Sequence, residues 1–196
     1  GVSRNSIPLF ATLILIGIGI AISLIKPLNA LLLGERYAAK VLRMCYMHPD
    51  FSVLTADNHP RLFLKDEDIE TLKSKNQPGT VINLLHNILA EIADKEIQSG
   101  KTLKYKLDQS GKRILPISRN ALKRISSCSY MYRMTGQEKY LAKAEATLNE
   151  VSSFADWNQS EHYLDVAEMA LAVAVSYDWL YDKLSPQLRK KCESAI

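Results

Sequence analysis

Residues 156–182 read DWNQSEHYLDVAEMALAVAVSYDWLYD. Projected at 100° per residue, His162, Asp165, Met169, Ala172 and Ser176 fall in one stripe. Leu164, Ala167, Leu171, Ala174 and Val175 fall roughly opposite. This pattern predicts a helix over about Glu161–Tyr181. Its middle is apolar or small nearly all round, the mark of a buried helix. Small residues on one stripe let a neighbouring helix approach closely. The polar groups Asp156, Asn158, Ser160, Glu161, His162, Asp165 and Glu168 gather at the N-terminal end, where free N–H groups and the helix dipole favour anions.

Helices continue on both sides of this stretch. A short one is expected over about Asp66–Lys75, with Asp66 as its N-cap, acids in the first turn and lysines in the last. Gln77-Pro78-Gly79 separates it from a helix that Pro78 opens and that carries Val81, Leu84, Leu85, Ile88, Leu89 and Ile92 at helical spacing, ending near Ser99-Gly100. Residues 101–116 read as a polar connection. Ser118 is placed as the cap of a helix over 119–134 that stops at Thr135-Gly136. Gln137–Ser152 follows as its hairpin partner. Beyond the central stretch, Ser185-Pro186 opens a last helix with Ser at N-cap and Pro at N1.

The N-terminus differs in character. Ile7–Ile25 is 19 residues without a charge, preceded by Arg4 and ended by Lys26-Pro27. As a helix it spans roughly 28 Å, close to the hydrocarbon thickness of a bilayer. Residues 1–33 are therefore expected to be a membrane anchor or a signal peptide. Residues 34–57 form a tether, with a short amphipathic helix over Glu35–Met47 broken at His48-Pro49-Asp50. Residues 58–196 form the helical domain. Both ends read as cut, because residue 1 is Gly and Leu188–Ile196 is helical without a stop signal.

The 196 residues are 47% hydrophobic and 23% charged, which excludes a disordered chain. The net charge of +4 permits an acidic partner without requiring one. Cys45, Cys128 and Cys192 are too few and too far apart for a disulfide framework or a zinc pattern, so structural roles are expected. There is no Gly-rich phosphate loop, and no HExxH, GxSxG or CxxC. No cofactor, metal or nucleic acid is expected. No strand is predicted, and recurrent helical hairpins mean a bundle, a solenoid or a closed toroid.

Two features point to a binding site. From Lys101 to Arg124 there are eight Lys or Arg and one Asp, which is either a solvated loop and helix start or one wall of a groove for a polyanion. Arg119 lies in this run. At 156–165, Trp157 is placed to stack on a sugar face, Asn158 to bond hydroxyls, and His162 to be oriented by Asp165. The structural alternatives are that Ser160 and Asp156 merely cap the helix and that His162 merely satisfies Asp165. Trp157, Asn158, His162 and Arg119 are the expected substrate contacts.

Several strings together resemble the N-terminal helical domain of heparinase II/III-like polysaccharide lyases. They are Asn58-His59-Pro60-Arg61-Leu62-Phe63; Leu115-Pro116-Ile117-Ser118-Arg119-Asn120-Ala121-Leu122; Tyr132-Arg133-Met134-Thr135-Gly136 with Lys139-Tyr140 and Ala144-Glu145; and Asp156-Trp157-Asn158 through Asp178-Trp179-Leu180-Tyr181. The last run in the family reads close to DWNPSHFLDVAEM and GYDWLY. This chain departs from it with Gln159 in place of Pro, an added Glu161, and Ser176 in place of Gly. The resemblance covers about residues 58–196. It implies an all-α arrangement of antiparallel hairpins forming part of an (α/α) toroid, and β-elimination on uronic-acid-containing polysaccharides. The protein is then expected to be exported, periplasmic or anchored at the cell envelope. The family's catalytic Tyr and later His match no position of this chain, so its catalytic residues are expected beyond residue 196. The competing expectations are a non-catalytic glycan-binding module and a membrane-anchored helical scaffold.

Overall fold

The computed structural model describes residues 59–196. The anchor or signal segment, the tether with its Glu35–Met47 helix, and Cys45 lie outside the described residues. These comprise six helices and no strand. They are α1 Asp66–Lys75, α2 Val81–Gln98, α3 Leu115–Thr135, α4 Glu138–Val151, α5 Tyr163–Leu180 and α6 Pro186–Ala195. None of them is long and apolar enough to cross a membrane.

The helix ends follow local chemistry. Asp66 is the first residue of α1, and the cap position falls to Lys65, whose N–H is taken by Asp68 Oδ2 at 2.9 Å. Asp66 itself caps nothing; Asp68 in the first turn reaches back to the cap residue. Pro78 sits in the turn before α2, and the Thr80 hydroxyl caps that helix by accepting from Asn83 N–H. Helix α3 starts earlier than expected, at Leu115. Pro116 fits its first turn because the N–H it lacks would have had no intrahelical partner. Ser118 is consequently inside the helix and fully buried rather than capping it. Gly136, at φ 69°, closes α3 by donating its N–H to Tyr132 O. Ser185 caps α6 through Leu188 N–H.

Helices α2–α6 make two rows. Helices α2 and α3 are antiparallel, since Glu96 near the end of α2 meets Arg124 and His86 near its start meets Tyr130. Helices α3 and α4 are antiparallel as well, with Glu150 near the end of α4 reaching Arg124. Helices α3 and α5, in contrast, lie side by side and parallel. Their N-terminal ends meet through Arg119 and Glu168 at 3.3 Å, and their C-terminal ends through Arg133 over the Trp179 ring at 5.7 Å. Helix α4 touches α2 and α6, completing the second row.

Apolar burial holds the rows together. Leu64, Leu72, Ile114, Ala121, Ile125, Cys128, Ala144, Leu148, Val151, Met169, Ala172 and Val173 are all fully buried. Each large apolar side chain contributes roughly 1.5–3 kcal/mol. Exposed pairs such as Lys95–Glu91 and Lys73–Glu70 contribute about 0–1 kcal/mol each. One ionic cluster does fix geometry. The buried Arg124 guanidinium bonds Glu96 at 2.8 Å and the Lys101 carbonyl at 2.9 Å, and Glu150 accepts Leu103 N–H at 2.8 Å. That cluster ties the start of the 101–114 connection to the ends of α2 and α4.

Helix α5 is not buried all round. Asp165, Met169, Ala172 and Ser176 are fully buried, yet Leu164 and Leu171 are each 45% exposed and Ala167 is exposed between them. Periodicity predicted both faces to be covered. In the described residues only the face toward α3, α4 and α6 is.

Candidate functional site

Helix α5 begins at Tyr163, two residues later than its pattern suggested. The segment before it turns at Asn158, whose φ of 67° is left-handed, a conformation Asn tolerates better than most residues. Neither Ser160 nor Asp156 caps the helix. His162 holds the cap position without a side-chain cap bond. Asp156 Oδ1 instead accepts from Asn158 N–H at 2.8 Å and from the Tyr105 hydroxyl at 3.2 Å.

Asp165 is the centre of the site. It is fully buried and accepts three hydrogen bonds. Ile114 N–H and Asn158 Nδ2 donate to Oδ2, each at 2.8 Å, and His162 Nδ1 lies 3.0 Å from Oδ1. A carboxylate only accepts, so Nδ1 carries a proton in this bond, and Nε2 takes no part in it. Asn158 Nδ2 also donates to the Lys112 carbonyl at 2.8 Å. Asp165 thereby joins three separate pieces: the end of the 101–114 connection, the 156–162 segment and α5. A buried charge of this kind persists because every donor around it is used.

The four expected substrate contacts separate into two kinds. Trp157 is 5% exposed and its indole N–H donates to Val151 O at 3.1 Å. It is packed, with little of its ring exposed. Asn158 is equally buried, with its amide donors committed to Lys112 and Asp165. It ties the Lys112 backbone to Asp165. His162 and Arg119 remain at the surface, with side chains 24% and 43% exposed. Sequence reasoning missed the role of the backbone at Lys112 and Ile114, because nothing in side-chain spacing reveals a carbonyl or an N–H brought in from a loop.

Arg119 bonds one oxygen of Glu168. The other oxygen, Oε2, is buried and has no partner, and neither has the Ser118 hydroxyl next to Arg119. Burial raises the Glu168 carboxyl above its ordinary value, and Arg119 only partly opposes this. Around the same end of α3 and α5, Lys101, Lys104, Lys106, Lys112 and Arg113 are all exposed. Of the eight cations in the basic run, Arg124 and Lys123 turn inward to Glu96. The remainder stay at the surface of this end, together with the exposed acids Asp156 and Glu161.

A second cluster lies at the opposite end. Asp178 is 3% exposed, lies 2.6 Å from His59 Nδ1, and accepts Arg61 N–H at 2.8 Å and Leu62 N–H at 2.7 Å. The His59 ring stacks on Tyr181 at 3.8 Å, and Trp179 donates to Leu62 O at 2.9 Å. Two strings far apart in sequence, His59–Leu62 and Asp178–Tyr181, thus make one clasp. Among the described residues no group of three or more His, Cys, Asp or Glu is placed to hold a metal ion. No protein-family model and no curated protein matches the chain.

Proposed function

We propose that this chain is the N-terminal, glycan-holding portion of an exported polysaccharide lyase that cleaves uronic-acid-containing chains by β-elimination, the catalytic base and acid being supplied by residues outside this chain. The observation that carries the reading is the end of the α3/α5 pair. There His162 is fixed by a buried carboxylate, at an end that also carries exposed lysines and arginines. A uronate polymer carries one carboxylate per acidic sugar, and those cations attract it while the imidazole and Arg119 meet it at short range. Elimination requires that the carboxylate beside the C5 proton be neutralised before a base removes that proton. His162 and Arg119 are suited to hold the substrate for that step.

The parallel α3/α5 pair with its second row, and the open apolar face of α5, accord with a toroid in which further hairpins extend the rows. The segment at Ile7–Ile25 would deliver the domain to the cell envelope, by anchoring it or by directing its export. The partners are then an acidic polysaccharide and a membrane, not nucleic acid.

The test is to incubate the chain, alone and joined to whatever its gene encodes downstream, with a panel of uronic-acid polysaccharides while following ultraviolet absorbance of the unsaturated product. Binding by the chain alone, with product formed only by the extended protein, is expected. Binding without product from either protein would favour a non-catalytic glycan-binding module. No binding by either would refute the reading.

A further inference from the structure

Trp157 was the natural aromatic partner for a sugar, and it is buried. Sugar rings bind proteins largely through apolar C–H faces laid on exposed aromatic rings, with charges meeting groups at the rim. Among the described residues the aromatics exposed enough for this are Phe63, Tyr105 and Tyr163, at 47%, 41% and 82%. Phe63 follows the clasp at the far end. The other two flank the His162 site.

We propose that Tyr105 and Tyr163 are the stacking platforms on which an acidic saccharide chain lies. This rests on the glycan reading given above. Tyr105 and His162 terminate one hydrogen-bonded run. Tyr105 donates to Asp156, Asp156 accepts from Asn158 N–H, the Asn158 amide donates to Asp165, and Asp165 holds His162. Tyr163 is the next residue, the first of α5. Tyr105 is held rigid at both ends. Its hydroxyl is on Asp156, and its ring meets Phe154 edge-on, with centroids 5.6 Å apart at 84°. A ring held in place before binding loses little entropy on contact.

Charge complementarity selects the occupant. Lys104 and Lys106 flank Tyr105 and are exposed, and His162 adjoins Tyr163. Cations beside aromatic faces match a polymer whose sugars carry an apolar face and a carboxylate edge. A purely apolar partner would leave those lysines without counter-charges.

The experiment measures equilibrium binding of the full chain, in detergent micelles, to polygalacturonate and to heparin at low and moderate salt. Tyr163→Ala is expected to weaken binding by up to about tenfold, by a similar factor at both salt concentrations. Tyr163→Phe should bind like the parent chain. Lys104→Ala, by contrast, should lose affinity mainly at low salt. Tyr105→Phe, which keeps the ring and frees its hydroxyl end, should show a smaller loss than Tyr163→Ala, with the helical circular dichroism unchanged.

If the parent chain binds and Tyr163→Ala binds equally well, the platform assignment is wrong while the glycan reading stands. If Tyr163→Ala changes self-association but not glycan binding, Tyr163 belongs to a protein contact and the assignment is again overturned. If the parent chain binds neither polymer, the glycan reading fails and takes this inference with it.

Discussion

At the scale of single residues, placement beside a partner matters more than residue type. Asp165 and Glu168 are one helical turn apart on α5. Asp165 is fully buried and serves three donors, whereas Glu168 has one oxygen on Arg119 and the other on nothing. Burial therefore raises the Glu168 carboxyl. The folded state holds that proton more tightly than the unfolded state, whose carboxyl titrates near the ordinary 4.5. This contribution to stability is fully present below that value and is lost as pH rises through the folded-state value. Glu168→Gln removes the titration. Its melting temperature should match the parent below about pH 4.5, exceed it increasingly as pH rises through the folded-state value, and hold a constant excess above that. Thermal unfolding across that range checks this, and a constant offset at every pH would contradict it. The same residues show what a sequence conceals. The His162–Asp165 pairing was legible from a spacing of three, although His162 lies at the extended cap position and reaches Asp165 from outside the helix. The burial of Trp157 and Asn158 was not, since it depends on the Lys112 carbonyl and on a left-handed turn at Asn158 that no side-chain pattern announces.

At the scale of elements, helix existence was readable and helix ends less so. Ser185 and Gly136 behave as their residue types suggest, because each acts within its own turn. Ser118 does not act as a cap because Pro116 is equally good in a first turn, and the buried Ile114 pulls the helix start back to Leu115. The open face of α5 escaped the periodicity argument for a different reason. An apolar stripe reports that a surface suits burial, not that a partner is present. Gly136 offers a direct test of the end-cap account. An added Cβ would meet nothing within 4 Å, so any cost must come from the backbone at φ 69°. Gly136→Ala should destabilise the chain by about 1 kcal/mol. Urea unfolding measures this, and no change would mean the left-handed cap is dispensable.

For the described residues as a whole, the two ends of the parallel α3/α5 pair do different work. One end holds His162 on the buried Asp165. The other is closed by the clasp of His59, Arg61 and Leu62 on Asp178. Asp178→Ala would leave two backbone N–H groups and an imidazole without their acceptor in a buried setting. The expected cost is about 3 kcal/mol, with polyanion affinity unchanged once the protein is folded. A large loss of stability read by urea unfolding, together with retained binding, supports a structural clasp. Loss of binding in a fully folded variant would assign that end a ligand.

Hydrogen exchange of the full chain with and without polygalacturonate or heparin tests the glycan-holding account most directly. Slowed exchange concentrated at 101–114 and 156–165, with the clasp around Asp178 unaffected, is the predicted result. Protection absent from those segments, or centred on the clasp, would contradict it.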